Sequence, residues 1–309
     1  MIQPQNINRR CRRSGLHLLF FSLCGFLAAF SFVRAEDVQG FADGSSRPRI
    51  SISVGSMPLR AFQNYTGSFE KEMTSLSTEI PFAGDSLSRW IAHASLHTIA
   101  AEVSVLPEPV SLLSGVVGVS NRIYDDAQNQ YMLSCGVGFA SDDQSLDAVR
   151  FRFSGVAIGN HSLNQNFALL YGLSYSYVLG RGLILPMAGF HWKASDDVSL
   201  RAMLPFSLRL RYRPSERWSF GLKAMLDGDR FQYFNEGNAF SAPQHAYLRL
   251  TQLECGPDFV LTVSPLLSLS GEVGVAVARR LWISSDNDDF LSAKINPGGY
   301  ARATAQFSL

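Results

Sequence analysis

The chain has 309 residues, of which 17% are charged, against about 25% in an average soluble domain. Its formal charge of +1 comes from the first 35 residues, which carry five arginines and no acid; the remaining 274 hold 22 basic and 26 acidic residues, a net of −4. That balance excludes a basic nucleic-acid binder, and four cysteines are too few for a disulfide scaffold.

The first element is an address. Arg9, Arg10, Arg12 and Arg13 form a basic segment, residues 15–32 are apolar, and Val33-Arg34-Ala35 precedes the acidic pair Glu36-Asp37. This order predicts a cleaved secretory signal peptide over residues 1–35. Cys24 is not a lipidation site, because Leu23 stands where a small residue is needed and apolar residues continue beyond it. Residues 36–80 have the weakest pattern, and 36–59 read as an N-terminal periplasmic segment or a plug. Within them the Ile-Ser-Ile-Ser-Val run at 50–54 has three readings: it opens the barrel, plugs it or lies outside it. Residues 60–309 read as one domain.

From there the repeating signal has a period of two. Val149, Phe151 and Phe153 alternate with Arg150, Arg152 and Ser154. Leu169, Tyr171, Leu173, Tyr175 and Tyr177 alternate with Gly172, Ser174 and Ser176. From Val198 to Arg213 every even position is apolar or Tyr, and the odd ones include Arg201, Arg209 and Arg211. Trp218, Phe220 and Leu222 oppose Ser219, Gly221 and Lys223, and Leu269, Val273 and Val275 oppose Ser270, Glu272 and Gly274. Successive side chains of a strand point to opposite faces. One greasy face and one small, polar or basic face suit a barrel with lipid outside and a polar lumen. Closure is what hydrocarbon demands, since every backbone donor and acceptor needs a partner there.

Turn signals fall at 105–109, 123–129, 141–146, 159–166, 179–182, 193–197, 213–217, 227–244, 263–267 and 284–298. Counted back from the C-terminus they begin long, short, long, short, as outer loops and periplasmic turns do; the alternation weakens at 193–197. The expectation is an all-β, closed antiparallel transmembrane barrel of about 12 strands, with 10 to 14 admissible. The chain finishes in a strand, where Ala301, Ala303, Ala305, Phe307 and Leu309 alternate with Arg302, Thr304, Gln306 and Ser308. Outer-membrane barrels end this way, which makes Ala301 to Leu309 the expected contact for the barrel-assembly machinery. Leu309 stands where an aromatic residue is usual.

These residues also carry a resemblance. Tyr171 to Tyr175, Leu185 to Trp192, Met203-Leu204-Pro205-Phe206, Leu210 to Arg213, Arg217 to Phe220 and Asp227 to Phe231 resemble a domain-of-unknown-function family of bacterial outer-membrane β-barrel proteins. The resemblance spans roughly residues 110–309. It implies a barrel and a bacterial outer-membrane location, and brings no catalytic residues.

The chemistry candidates are few. His93 and Ser95 share a strand face, so a His-activated Ser nucleophile is conceivable, as in an outer-membrane lipid hydrolase; no acidic partner is visible, and a polar lumen stripe is the plainer reading. His93 and His97 lack a third ligand for a metal. Asn160-His161-Ser162 reads as a loop tripeptide. Asp142-Asp143, Asp196-Asp197 and residues 286–289 are acidic loop clusters. Cys135 and Cys255 fall on apolar strand faces and read as two buried thiols, with a disulfide as the alternative. Neither a cofactor nor a metal is implied.

The basic residues of the polar faces, Arg150, Arg152, Arg201, Arg209, Arg211, Lys223 and Arg302, are candidate pore-lining groups, since rings of Arg or Lys favour anions. The alternatives are that they pair internally with Glu272 and loop acids, or that they sit in the periplasmic rim, toward which Arg209, Arg211 and Arg213 run. Tyr177, Trp192, Tyr212, Trp218, Tyr247 and Trp282 lie near strand ends and read as interfacial girdle residues. The functional expectation is a non-enzymatic channel or structural barrel, in contact with outer-membrane lipid and lipopolysaccharide and without a nucleic-acid partner. Oligomeric state is open.

Overall fold

Alternation of this kind fixes which side of each strand faces lipid, and pairing then sets the order of the strands. A computed structural model describes residues 47–309 except 65, 86, 105, 107–108, 127, 143–150, 178, 180–181, 235–244 and 285–288. The signal-peptide stretch, Arg150 and most of the 286–289 cluster therefore lie outside the described residues. The strands are β1 (Arg49–Ala61), β2 (Ser68–Gly84), β3 (Ser88–Val103), β4 (Val110–Tyr124), β5 (Asn129–Asp142), β6 (Arg152–Asn164), β7 (Phe167–Ser176) and β8 (Leu183–Lys193). They continue as β9 (Val198–Leu204), β10 (Ser207–Tyr212), β11 (Trp218–Phe234), β12 (His245–Ser264), β13 (Leu267–Ser284), β14 (Asp289–Ile295) and β15 (Gly298–Ser308). No helix among the described residues is long and apolar enough to cross a membrane.

Each strand from β1 to β13 pairs antiparallel with the next, and β15 closes the ring between β13 and β1. β14 and β15 both lie on β13, end to end: Arg279 opposes Ile295, and Ala276 opposes Gly298. They form one stave interrupted at Asn296-Pro297, so the barrel has 14 strands. The even number and the closure give every stave a neighbour on both sides, as hydrocarbon requires.

The expected 12 was two short, for two reasons. The run from Val198 to Arg213 is not one strand but a hairpin, β9 and β10, turned at Pro205-Phe206, where the Phe206 N–H donates to the Met203 carbonyl at 2.8 Å. Met203 opposes Ser207, and Arg201 opposes Arg209. Partners of equal parity share a face, so the period of two runs through the turn unbroken and conceals it. The same hidden turn explains why the long-short alternation fails at 193–197. The second missing strand lies in residues 36–80, which hold β1 and most of β2. The Ile-Ser-Ile-Ser-Val run opens the barrel: Ile52 opposes Ala305 on one side and Leu76 on the other. Residues 49–59 are wall, not plug or periplasmic segment.

Three expected loops also shrink. Strand β11 runs on through Phe234, β6 runs through Asn164, and β14 occupies part of 284–298. His161 is accordingly a strand residue, its Nδ1 2.7 Å from Asn129 Oδ1 across the pair. Cys135 is exposed on the outer face and Cys255 is half-buried; both are free thiols, so neither the disulfide nor two buried thiols is found.

The barrel has a turn end, where the start of β1 meets the end of β15, and a loop end. At the loop end the interior is packed with apolar side chains. Phe62, Phe69, Ile99, Leu112, Phe231, Leu248, Leu281, Ile283 and Leu291 belong to one buried cluster there. A second apolar cluster, Met132, Val156, Ile158, Leu170, Met187, Met203 and Phe206, lines the inner face of β5 to β9. Strands β7 to β10 are only 10, 11, 7 and 6 residues long, against 17 in β11. Above them β11 reaches across to β5, where Gln232 pairs with Ser141, so the barrel narrows toward the loop end.

Candidate functional site in the barrel lumen

On β2, β11 to β13 and β15 the inward positions below the loop-end cluster carry charged and amide side chains held together by ion pairs and hydrogen bonds. Arg302 Nη2 lies 3.0 Å from Glu254 Oε2, and its Nη1 is 3.3 Å from Glu272 Oε2. Lys223 Nζ contacts Glu272 Oε1 at 2.6 Å. Gln252 Nε2 donates to Glu254 Oε1 at 2.9 Å and to Asp227 Oδ2 at 3.1 Å. Lys71 Nζ, from the far side of the barrel on β2, reaches Asp227 Oδ2 at 3.3 Å. Arg279 joins from β13 through Gln252 Oε1 at 3.3 Å, its guanidinium 5.4 Å from the Phe69 ring. Glu254 is 0% exposed and Arg302 4%. The network is thus roofed by the apolar cluster and bridges the lumen from wall to wall.

Of the basic residues singled out in the sequence, the six that are described lie on the inner face. Arg152 makes a two-pronged contact with the Asp229 carboxylate and also donates to the Arg230 carbonyl. Arg209 pairs with Asp258. Lys223 and Arg302 belong to the network, and Arg201 stands in register between His191 and Arg209. Arg211 follows Arg209 on the same face of β10, opposite Ser199 and Gly221. Arg152, Arg209, Lys223 and Arg302 therefore each face a carboxylate, as the internal-pairing alternative expects. Asp229, which pairs with Arg152, falls among the loop acids of that alternative, whereas Glu254 and Asp258 are strand residues that the sequence reading does not single out. Asp227 and Asp229 were read as loop, although their alternation with Gly228 and Arg230 continues the β11 pattern and was the signal to follow. Lys71, Gln252 and Arg279 were also missed, and only the cross-barrel packing identifies them.

The His93–Ser95 pair does not form. His93 Nδ1 is 2.9 Å from Ser120 Oγ, which in turn donates to Ser134 Oγ at 3.2 Å. With the Ser120 hydrogen committed to Ser134, Nδ1–H is the donor to Ser120. His93 Nε2 abuts Gly118, where any Cβ would come within 2.1 Å of it. Ser95 Oγ instead lies 3.0 Å from His97 Nε2. Both Ser95 and His93 are buried in the wall. The arrangement reads as a hydrogen-bonded stripe across β3, β4 and β5 rather than a nucleophile and its base. Among the described residues no group of three His, Cys, Asp or Glu side chains could hold a metal ion.

Outside, the lipid-facing side carries aromatics at both ends. Trp192, Tyr212 and Trp218 are exposed at the turn end, joined by Trp90, which the sequence reading passed over. Tyr247 and Trp282 sit at the loop end beneath arginines: the Arg230 guanidinium lies 3.5 Å from the Tyr247 ring, and that of Arg280 lies 6.0 Å from the Trp282 ring. Tyr177, just beyond β7, has the Arg152 guanidinium 5.2 Å from its ring.

A barrel of this strand order, with a polar core and an apolar exterior, has a sequence counterpart: the domain of unknown function DUF6268 matches residues 90–288. The chain belongs to the DUF6268 family. The match begins in β3 and stops before β14, so the closing stave lies beyond it. No curated protein matches the chain in sequence. Among solved structures it is similar to the COG4313 outer membrane channel of Pseudomonas putida F1 (10% identity, TM-score 0.44, covering 85% of this chain and 96% of that one). It is also similar to a Pseudomonas aeruginosa FadL homologue (8% identity, TM-score 0.44, covering 84% and 89%). A third is the translocator domain of the autotransporter NalP from Neisseria meningitidis (11% identity, TM-score 0.40, covering 89% and 96%).

Proposed function

We propose that this DUF6268 barrel is a non-enzymatic channel of the bacterial outer membrane whose resting state is closed. The observation that carries the reading is the sequence of layers inside the barrel. A charged lumen, balanced by internal ion pairs, is stopped at the loop end by a packed apolar cluster. An apolar constriction over a polar lumen gates by excluding water. With acids facing the basic residues, the open channel is at most weakly anion-selective. The location is supported by the apolar exterior and by the aromatic residues at both rims. The closing strand, Ala301 to Leu309, is the surface offered to the barrel-assembly machinery, and its neighbour on the other side is the first strand of the chain.

The test is single-channel conductance of the refolded chain in a planar bilayer. The unaltered barrel is expected to be silent or to open rarely. Phe231→Ala and Leu281→Ala, which thin the constriction, raise the open probability at least tenfold. Steady conductance from the unaltered protein, or silence from both variants when their folded bands still shift on boiling, refutes the gated-channel reading.

A further inference from the structure

We infer that Arg60 and Arg279 form a binding site for an organic carboxylate, set in the lumen at the lower edge of the loop-end apolar cluster. The inference rests on the channel reading above and deepens it by naming a class of solute.

Neither arginine would face the lumen on a regular strand. On the lower part of β13 the odd residues point out, and Val273 and Val275 are exposed there. The register then slips between Leu253–Val277 and Thr251–Arg280, which places one extra residue in β13. Ala278 there has φ +50°, in the left-handed region that residues with a Cβ avoid. Beyond it Arg279 points inward toward Gln252 and is 2% exposed. Strand β1 repeats the device. Its even residues Ile52 and Val54 are exposed, and its odd residue Met57 is buried. Met57 opposes Lys71 and Arg60 opposes Phe69, so β1 advances three residues for two of β2. Partners share a face, and Phe69 belongs to the buried cluster, so Arg60 is turned inward. A bulge re-aims the side chains beyond it, and here two bulges bring two arginines to one place.

That place is Gly298 on β15. A Cβ at Gly298 would lie 2.9 Å from Arg60 Nε and 3.2 Å from Arg279 Nη1. The missing side chain leaves both groups room against the same stretch of wall. Arg60 stands two residues before Phe62, and Arg279 opposes Ile295; Phe62 and Ile295 both belong to the apolar cluster.

The pair is in excess of the acids around it. In the network Lys71 is matched by Asp227, Lys223 by Glu272 and Arg302 by Glu254. Arg279 reaches neutral groups instead: Gln252 Oε1 at 3.3 Å, the Asn296 carbonyl at 3.4 Å and Met57 Sδ at 3.8 Å. The two oxygen contacts are longer than an ordinary hydrogen bond. Arg60 Nη1 reaches the Leu59 carbonyl at 3.3 Å. Among the described residues neither arginine has a carboxylate partner. A buried cation without a counter-charge is unfavourable, and an anion held between the two guanidinium groups supplies it.

The surroundings select the kind of anion. Two planar donor forks match the two oxygens of one carboxylate. A phosphate has more oxygens to satisfy, and the Phe69 ring, 5.4 Å from the Arg279 guanidinium, and Met57 Sδ offer it no donors. They suit an apolar body attached to the carboxylate.

The site is tested on the full refolded barrel in detergent by fluorine NMR titration. The probe is 4-fluorobenzoate, and 4-fluorobenzamide is its neutral counterpart. Unaltered protein and Phe231→Ala, which thins the cluster above the site, are both equilibrated with the probe. Saturable binding of 4-fluorobenzoate, at least tenfold tighter than that of the amide, is expected. Arg279→Gln is expected to weaken it at least tenfold, as removal of a buried charge partner does, and Arg60→Gln about threefold, because Arg60 is half-buried. Arg60→Gln carries the test if Arg279→Gln gives no folded band that shifts on boiling. No saturable binding by either protein, equal binding of the amide, or unchanged binding by the folded arginine variants overturns the site. Displacement by an equal concentration of inorganic phosphate overturns carboxylate as its ligand. Conductance is read separately: steady current from a barrel that binds the probe refutes the closed channel alone, whereas a gated barrel that ignores the probe refutes only the site.

Discussion

Replacing Arg302 with Met puts the closed lumen to a thermodynamic test. Arg302 Nη2 holds Glu254 at 3.0 Å and 3.4 Å, and its Nη1 holds Glu272 at 3.3 Å. Removal leaves the two carboxylates in different states. Glu272 keeps Lys223 at 2.6 Å, but Glu254, 0% exposed, is left with the neutral Gln252 amide as its direct hydrogen-bond donor. Stripping the partner from a buried ion costs about 3–5 kcal/mol, roughly two to three and a half decades in the unfolding equilibrium at ~1.4 kcal/mol per decade. Glu254→Gln should cost less, about 1–3 kcal/mol, because Arg302 still has Glu272. The double variant Arg302→Met/Glu254→Gln should recover most of the larger loss, since no uncompensated charge is left. The assay is urea unfolding in lipid vesicles, read by tryptophan fluorescence. If Arg302→Met falls within about 1 kcal/mol of the unaltered barrel and the two single changes simply add, the charges are hydrated. The lumen is then water-filled and the closed-channel reading fails.

Three further predictions address the wall and its turns. Gly118→Ala should destabilise the barrel by about 1–3 kcal/mol, since its Cβ would meet His93 Nε2 at 2.1 Å and the Cys135 carbonyl at 2.5 Å, and the latter is backbone; a refolding midpoint equal to wild type would contradict this. In a background lacking Cys135 and Cys255, cysteines placed at Ala202 and Leu208 should form an intramolecular disulfide, because these residues are direct partners in the hairpin. In one continuous strand they would stand ~20 Å apart, and absence of the bond by mass spectrometry would restore that strand. Asp126, in the turn between β4 and β5, should titrate below an ordinary aspartate, because the Asn129 side chain and the Gln128 and Asn129 N–H groups all donate to its carboxylate. Its lowered folded pKa means that the turn's stabilisation is present above the unfolded-state value and is lost as pH falls through the folded one; an amide-shift titration of Gln128 with its midpoint at or above the ordinary aspartate value would refute it.

The hairpin at Pro205-Phe206 shows what periodicity can and cannot resolve. Side-chain alternation is a property of each strand, and a turn that joins partners of equal parity leaves it undisturbed. The faces of β9 and β10 were therefore read correctly from a segmentation that was wrong. The same limit applied to β11, whose Asp227 and Asp229 look like loop composition but continue the inward face. The extra residue in β13 is the opposite case. It changes parity at Ala278, and nothing in the neighbouring sequence marks the position.

Local chemistry, then, settled the architecture: a period of two with greasy and polar faces specifies a closed barrel, because hydrocarbon leaves the backbone no other partners. Lumenward Arg152, Arg209, Lys223 and Arg302 were legible for the same reason, since a residue's face depends only on its own strand. Their meaning was not. Whether an inward arginine lines a pore or neutralises a carboxylate depends on which residue stands across the lumen, and those partners lie up to 156 positions away, as Lys71 does from Asp227. Strand number, register and curvature bring them together, and these are properties of the whole sheet rather than of any strand in it.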